Sequence, residues 1–212
     1  MGDQFVVQTV GLTVFGNERS EVPISWGLDD LVVARVRAAA GPGVTVRKVA
    51  HARDAFAELE RAGSFFRDTK AELSSVVRRV ASGSNCERYV VVNRSTSRFS
   101  NLNQSVHGIG IVSWAHRTLL FALSYIRIYD GQSFEVVKQG AATTDDESLI
   151  SRALLLNPIR GPNRELDRGA FPAAPAEAAT NPALRDGVRA LLTASLNNTL
   201  PAMLRPQEGN SR

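Results

Sequence analysis

This chain of 212 residues has one cysteine, Cys86, and that scarcity removes several chemistries at once. No internal disulfide can form and no cysteine-rich metal site can be built. A single thiol permits an oxidising compartment without indicating one. Lysine is scarce as well: only Lys48, Lys70 and Lys138 occur, so arginine carries almost all the basic charge. The net charge is +4. Arginine and acidic positions are expected to alternate without forming a block, as on a solvated mixed-charge surface. No window approaches the roughly 20 apolar residues of a membrane-spanning helix. Nor does the start show the basic stretch and apolar core of a signal peptide. The protein is therefore expected in the cytoplasm or, if an export signal has been removed ahead of Asp3, in the periplasm or at the outer membrane.

Reaction motifs are missing too. The three histidines, His51, His107 and His116, lack metal-ligand spacing, so no metal site is expected. His107-Gly108-Ile109-Gly110 lacks the third glycine and following helix of a dinucleotide-binding loop. There is no Walker sequence and no Gly-x-Ser-x-Gly elbow. Asp145-Asp146-Glu147 lacks the calcium-loop pattern and reads as decoration of a helix start. Cys86 with His107 as base would be the pair for a thiol-dependent enzyme, but a structural cysteine is the simpler reading. No catalytic residue and no cofactor is assigned, and the chain is read as a non-enzyme.

What is present is a chain with 43% hydrophobic residues, enough for one substantial core. Phe5 to Phe15 alternates with period two, as a strand half buried against a helix layer does. Gly16 to Pro23 reads as a polar loop. Ser25 is placed to cap a helix from about Trp26, ended by Gly41-Pro42-Gly43. Val44 to Val49 reads as a second strand, forming a parallel pair with the first through a right-handed crossover. Ala52 to Gly63 suggests a modest helix. Thr69-Lys70-Ala71-Glu72 matches a capping box before the stripe Leu73, Val76, Val77 and Val80. Arg88 to Asn93 is a short buried strand, Arg94 to Ser105 a polar loop or hairpin tip, and Val106 to Trp114 a strand whose glycines allow close approach.

The strongest short-range signal follows. Leu119 to Ile128 is nearly all apolar, Asp130-Gly131 can turn the chain, and Phe134 to Lys138 returns as the partner strand. Phe121, Leu123, Tyr125 and Tyr129 share one face of the first arm, and Ala122, Ile126 and Ile128 the other. Two apolar faces need two covers. The early helices should supply one, and the later strap or the last helix the other; a face left bare would be the place for a partner. Asp146 to Leu156 could form a short helix. Asn157 to Thr180, with Pro158, Pro162, Pro172 and Pro175, reads as an irregular strap. Asn181-Pro182 then starts a helix with an inward stripe of Leu184, Val188, Leu191, Leu192 and Leu196, which Pro201 should end.

The fold expected is α/β with an α+β tendency. It has a mixed sheet of about 5–6 strands with a central Asp-Gly hairpin, helices mainly on one face, and the C-terminal helix docking back. Residues 1–146 would form the domain, 147–180 a strap or linker, and 181–205 the closing helix.

The strand order, the glycine-containing Gly108-Ile109-Gly110, the arm Ile126-Arg127-Ile128-Tyr129-Asp130-Gly131-Gln132-Ser133-Phe134-Glu135-Val136 and the amphipathic Leu184 to Leu204 together resemble a group of bacterial envelope proteins. These are the curli-secretion-channel subunit, the amino-terminal domain of the Tol–Pal propeller protein, and the outer-membrane lipoproteins that activate penicillin-binding proteins. The resemblance implies a non-enzymatic envelope protein with a fold like anticodon-binding domains, working through protein partners or self-association. It transfers no catalytic residue. The leading expectation is therefore a binding or accessory protein of a bacterial cell-envelope complex. Tyr125, Tyr129, Arg94, Arg98, Phe99 and His107 are its candidate partner-binding residues. An RNA-binding domain using Arg94, Arg98 and a stacking Phe99 is the alternative, so nucleic acid is kept as a partner but not favoured. The thiol enzyme is the second alternative.

Overall fold

A computed structural model describes residues 3–11, 16–52, 55–56, 69–99, 104–144 and 159–205. β1 (Gln4–Val10) lies between β2 (Glu18–Pro23) and β6 (Ile109–Trp114), antiparallel to the first and parallel to the second. β7 (Arg117–Ala122) pairs with β6, and β10 (Asn163–Leu166) pairs with β7, completing a five-stranded mixed sheet in the order β10-β7-β6-β1-β2. A second sheet has β8 (Ser124–Asp130) at its centre, between β3 (Arg88–Arg94) and β9 (Val136–Ala141). β4 (Thr96–Arg98) and β5 (Ser105–His107) form a small antiparallel pair of their own.

The mixed α/β sheet and the docking C-terminal helix agree with the sequence; several local expectations do not. β1 is buried on both faces rather than one, because it is an interior strand. Gly16 to Pro23 contains β2, an edge strand whose exposed side chains hide its period. The parallel partner of β1 is β6, whereas 44–50 forms no strand and leaves Val44 55% exposed. Gly110 on β6 permits that close pairing, since a Cβ there would meet the Val6 carbonyl oxygen.

α1 (Leu28–Ala40) is preceded by Gly27 at φ 64°, with no side-chain cap from Ser25, and stops at Gly41 as expected. α2 (Thr69–Ala81) buries Leu73, Val76, Val77 and Ala81. Most of the helix expected over Ala52 to Gly63, all of that over Asp146 to Leu156, and the side chain of Thr69 lie outside the described residues.

α3 (Pro182–Leu204) begins as its sequence dictates: Asn181 Oδ1 accepts hydrogen bonds from the amides of Ala183 and Leu184. It runs past Pro201, which sits in its last turns rather than ending it. Lys138 Nζ donates to the carbonyls of Ala202 and Arg205, placing a cation at the helix C-terminus, where the dipole favours one. The expected irregular strap is also more ordered than its prolines suggest. Its residues 163–166 form β10, tied to β7 by the Arg117–Glu165 ion pair at 2.6 Å, and short 3-10 turns span Arg168–Ala170 and Pro175–Thr180.

The core has three parts. The largest joins one face of both sheets to α1 and α3, through Phe5, Ile109, Ile111, Ile126 and Ile128 against Leu31, Val188, Leu192 and Leu196. Behind the five-stranded sheet, Val6, Val112, Leu119 and Phe121 meet Val106, Phe99 and Ile159. Behind the second sheet, Tyr89 and Tyr129 meet Leu73 and Val77 of α2.

Candidate partner-binding face

β7, Leu123 and β8 make one run from 117 to 130 that belongs to both large sheets. Its even-numbered face, with Leu120, Ala122, Ile126 and Ile128, lies in the core under α1 and α3. Its odd-numbered face is covered piecewise. Phe99, Val106 and Ile159 lie over Phe121 and Leu123 at one end, and α2 lies over Tyr129 at the other. Both faces are covered, but not as the sequence divides them: the last helix joins α1 on the even face, while the odd face takes α2 and, from the strap, Ile159. Between them Tyr125 and Arg127 are only half buried.

The covers separate because the strands part at one place. Ser95 N donates to Leu123 O (3.2 Å), Leu123 N to Gly108 O (2.7 Å), and Gly108 N to Ser95 O (2.9 Å). These three hydrogen bonds close a ring in which each residue gives one and accepts one. From it β3 and β8 lead one way, β4 and β5 a second, and β6 and β7 a third. Backbone groups that would lose their ladder partners at a strand branch are thereby satisfied.

Arg127 lays its guanidinium over the Tyr125 ring, 4.5 Å from the centroid, an attraction worth on the order of 0.5–1 kcal/mol at a partly exposed site. Across the ladder, Asn93 stands opposite Tyr125 and Val91 opposite Arg127, with Ala141 and Gln139 on the other side. The Asn93 Oδ1 and Arg127 Nε atoms are shielded from solvent and make no hydrogen bond with a described residue. Leaving such groups unmet costs about 1–3 kcal/mol each. β9 continues the surface with Val137, Gln139 and Ala141 exposed.

Of the six candidate residues, four stay near the branch and two go inside. Arg94 ends β3 with its stem against Gly108; Arg98 is exposed on β4; His107 Nδ1 lies 2.9 Å from Thr96 Oγ1; and Tyr125 lies under Arg127. Tyr129 is fully buried, and burial raises its phenol above the usual range despite the nearby Arg127 and Ser74. Phe99 is 3% exposed and packs against Trp114, so it is a core residue and offers no stacking surface. Each is covered by a segment distant in sequence, Phe99 by Ile159 and Tyr129 by α2, and the polar residues around Phe99 conceal its burial.

Comparison with family models, with curated proteins and with solved structures finds no match to this chain. Its chemistry must be read from its own geometry.

Cys86 and His107 are not brought together. The seven residues of β3, roughly 20 Å of strand, and the turn at Ser95 lie between them. Cys86 Sγ instead lies 3.6 Å from Arg47 Nη2 and 3.5 Å from the Ser84 carbonyl. A shallow hollow of about 170 Å³ at the start of α1 is lined by Asp3, Ser25, Trp26, Asp29, Asp30 and Lys48, and Lys48 is tied to Asp30 at 2.7 Å. It is smaller than the roughly 300–1,000 Å³ of ordinary ligand pockets.

Arg127 and Arg160 were missed in the sequence, although a signal for the first existed. Between Glu87 and Asp130 there is no Asp or Glu, while Arg88, Arg94, Arg98, Arg117 and Arg127 all occur. The expected even alternation of charge fails over that stretch.

Proposed function

We propose that this chain is a non-catalytic binding or accessory protein of a bacterial cell-envelope complex. It acts through protein contacts on the side of the molecule turned away from α1 and α3, and in the periplasm or at the outer membrane. The observation that carries this reading is the half-covered strip at Tyr125 and Arg127. An aromatic ring and a guanidinium stand there side by side, and the solvent-shielded Asn93 Oδ1 and Arg127 Nε make no hydrogen bond with a described residue. Tyr and Arg are the residue types that dominate protein-interface energetics, and both lose little freedom when covered because they are already packed together. The envelope assignment rests on the resemblance of the Gly108-Ile109-Gly110 strand, the Ile126 to Val136 arm and the closing helix, since the second strand of the expected order is absent at 44–50.

The test is site-specific photocrosslinking in cells that make the protein. A photoreactive phenylalanine at position 125 should give discrete protein adducts from the membrane fraction, and the same group at exposed Val44 should not. An adduct of twice the chain's mass identifies self-association. Equal labelling from both positions, or recovery of RNA alone, sinks the proposal.

A further inference from the structure

The outer face of the β4–β5 pair carries a feature that folding alone does not reward. Thr96 and Arg98 are exposed, while Ser97 and Phe99 point inward to the core. Phe99 and Ile159 form an isolated antiparallel bridge, and that register continued by one residue sets Arg98 opposite Arg160 on the neighbouring segment of the same chain. Arg160 N donates to Ser97 Oγ at 2.9 Å and holds that register. Directly opposed side chains of this kind have Cβ atoms about 5 Å apart, and like charges so placed repel. Both arginines are exposed, and neither makes an ion pair with a described residue. His107, on the neighbouring strand β5, extends the row through its contact with Thr96.

From this we infer that Arg98 and Arg160 form a two-guanidinium clamp for the carboxylates of an acidic protein segment. The inference rests on the proposed protein-binding role and gives the chemistry of the partner. Opposed guanidinium forks can each grip a carboxylate through two parallel N–H···O bonds. Their mutual repulsion falls when an anion lies between them. An acidic protein is favoured over RNA because the aromatic groups here are engaged: Phe99 is in the core, and the Tyr125 face is occupied by Arg127. Single-stranded RNA needs open rings for its bases to stack on.

The experiment titrates the full chain at low salt with a fluorescein-labelled ten-residue oligoglutamate, and with a ten-nucleotide RNA as competitor. Binding of oligoglutamate should weaken with added salt. It should weaken at least tenfold in the double variant Arg98→Glu, Arg160→Glu, and remain within twofold in Arg185→Glu, which changes an exposed arginine on α3. Arg98→Glu alone sets opposite charges across the bridge and should raise the urea midpoint, so its weaker binding cannot be ascribed to unfolding. No oligoglutamate binding, equal losses in Arg185→Glu, or tighter RNA binding through the same two arginines would each overturn the inference. Photocrosslinking at position 125 is read separately. Protein adducts there with no oligoglutamate binding would discard the acidic clamp and leave the binding role standing.

Discussion

Gly108 sits beneath the stem of Arg94 with φ at +70°: a methyl group on Gly108 would lie 2.5 Å from Arg94 Cδ and 3.0 Å from Cγ. This packing occurs at the hydrogen-bonded branch, where Gly108 both donates to Ser95 and accepts from Leu123. Gly108→Ala should therefore destabilise the protein by about 1–2 kcal/mol, chiefly because an L side chain is strained at that φ. Truncating Arg94 to Ser in the same chain should recover only the steric share. Urea unfolding of the single and double variants measures both. An unchanged midpoint for Gly108→Ala would mean that the branch tolerates another backbone conformation.

The tight hairpin of this protein is not the Asp-Gly turn. Trp114 pairs with Arg117, leaving the two-residue turn Ala115-His116, with φ at 45° and 67°. Positive φ at both positions is the mirror-image geometry that suits the strand twist, and Asn-Gly is the pair that best adopts it. The carbonyl of His116 also accepts a hydrogen bond from Arg168 Nε at 2.7 Å, which any residue there retains. Ala115→Asn with His116→Gly should raise stability by roughly 1 kcal/mol, because strain is removed without losing a contact. The check is the change in urea midpoint at constant slope. A fall in midpoint would show that the Ala-His turn is not under strain.

Asp130 has a different task from the one its neighbour suggested. Its Oδ1 accepts from Ser133 N (2.9 Å), Gln132 N (3.0 Å) and Ser133 Oγ (3.1 Å), and these bonds hold its carboxyl below the ordinary aspartate range. A depressed folded-state value means that the charged form stabilises the fold above the unfolded value of about 3.9. That contribution is lost as pH falls from about 4 through the folded value. Carboxyl NMR should find Asp130 titrating below the ordinary aspartate value, and Asp130→Ala should flatten the loss of stability below pH 4. A normal midpoint for Asp130 would remove this argument.

Much of the fold was legible because its signals are local. The start of α3 needs only Asn181 and Pro182, since the cap bonds its own next amides. The end of α1 needs only Gly41. Asp130-Gly131 reads as a turn, and the chain does turn there, but Gly131 is required for a different reason. A Cβ on it would strike the Cys86 carbonyl, while the positive φ falls on Phe134, at 59°. β2 and β10 went unread because edge strands expose half their side chains and borrow their conformation from the neighbour they pair with. The candidate site was half legible: Arg98, His107 and Tyr125 could be named from their polar or aromatic character beside the hairpin. That Phe99 and Tyr129 turn inward depended on Ile159 and α2, which reach them from distant parts of the chain.

The sequence by itself determined the apolar stripes of α2 and α3, the helix boundary at Asn181, and an apolar run long enough to serve two sheets. Only the tertiary structure decided that this run branches from its partners at Ser95, Gly108 and Leu123. It also decided that Tyr125 and Arg127 fall between two covers, and that Arg98 faces Arg160. Local conformation follows from the covalent character of neighbouring residues, which a linear pattern records. Which faces are covered depends on the summed burial of segments dozens of residues apart. That sum is realised only once the sheets are packed.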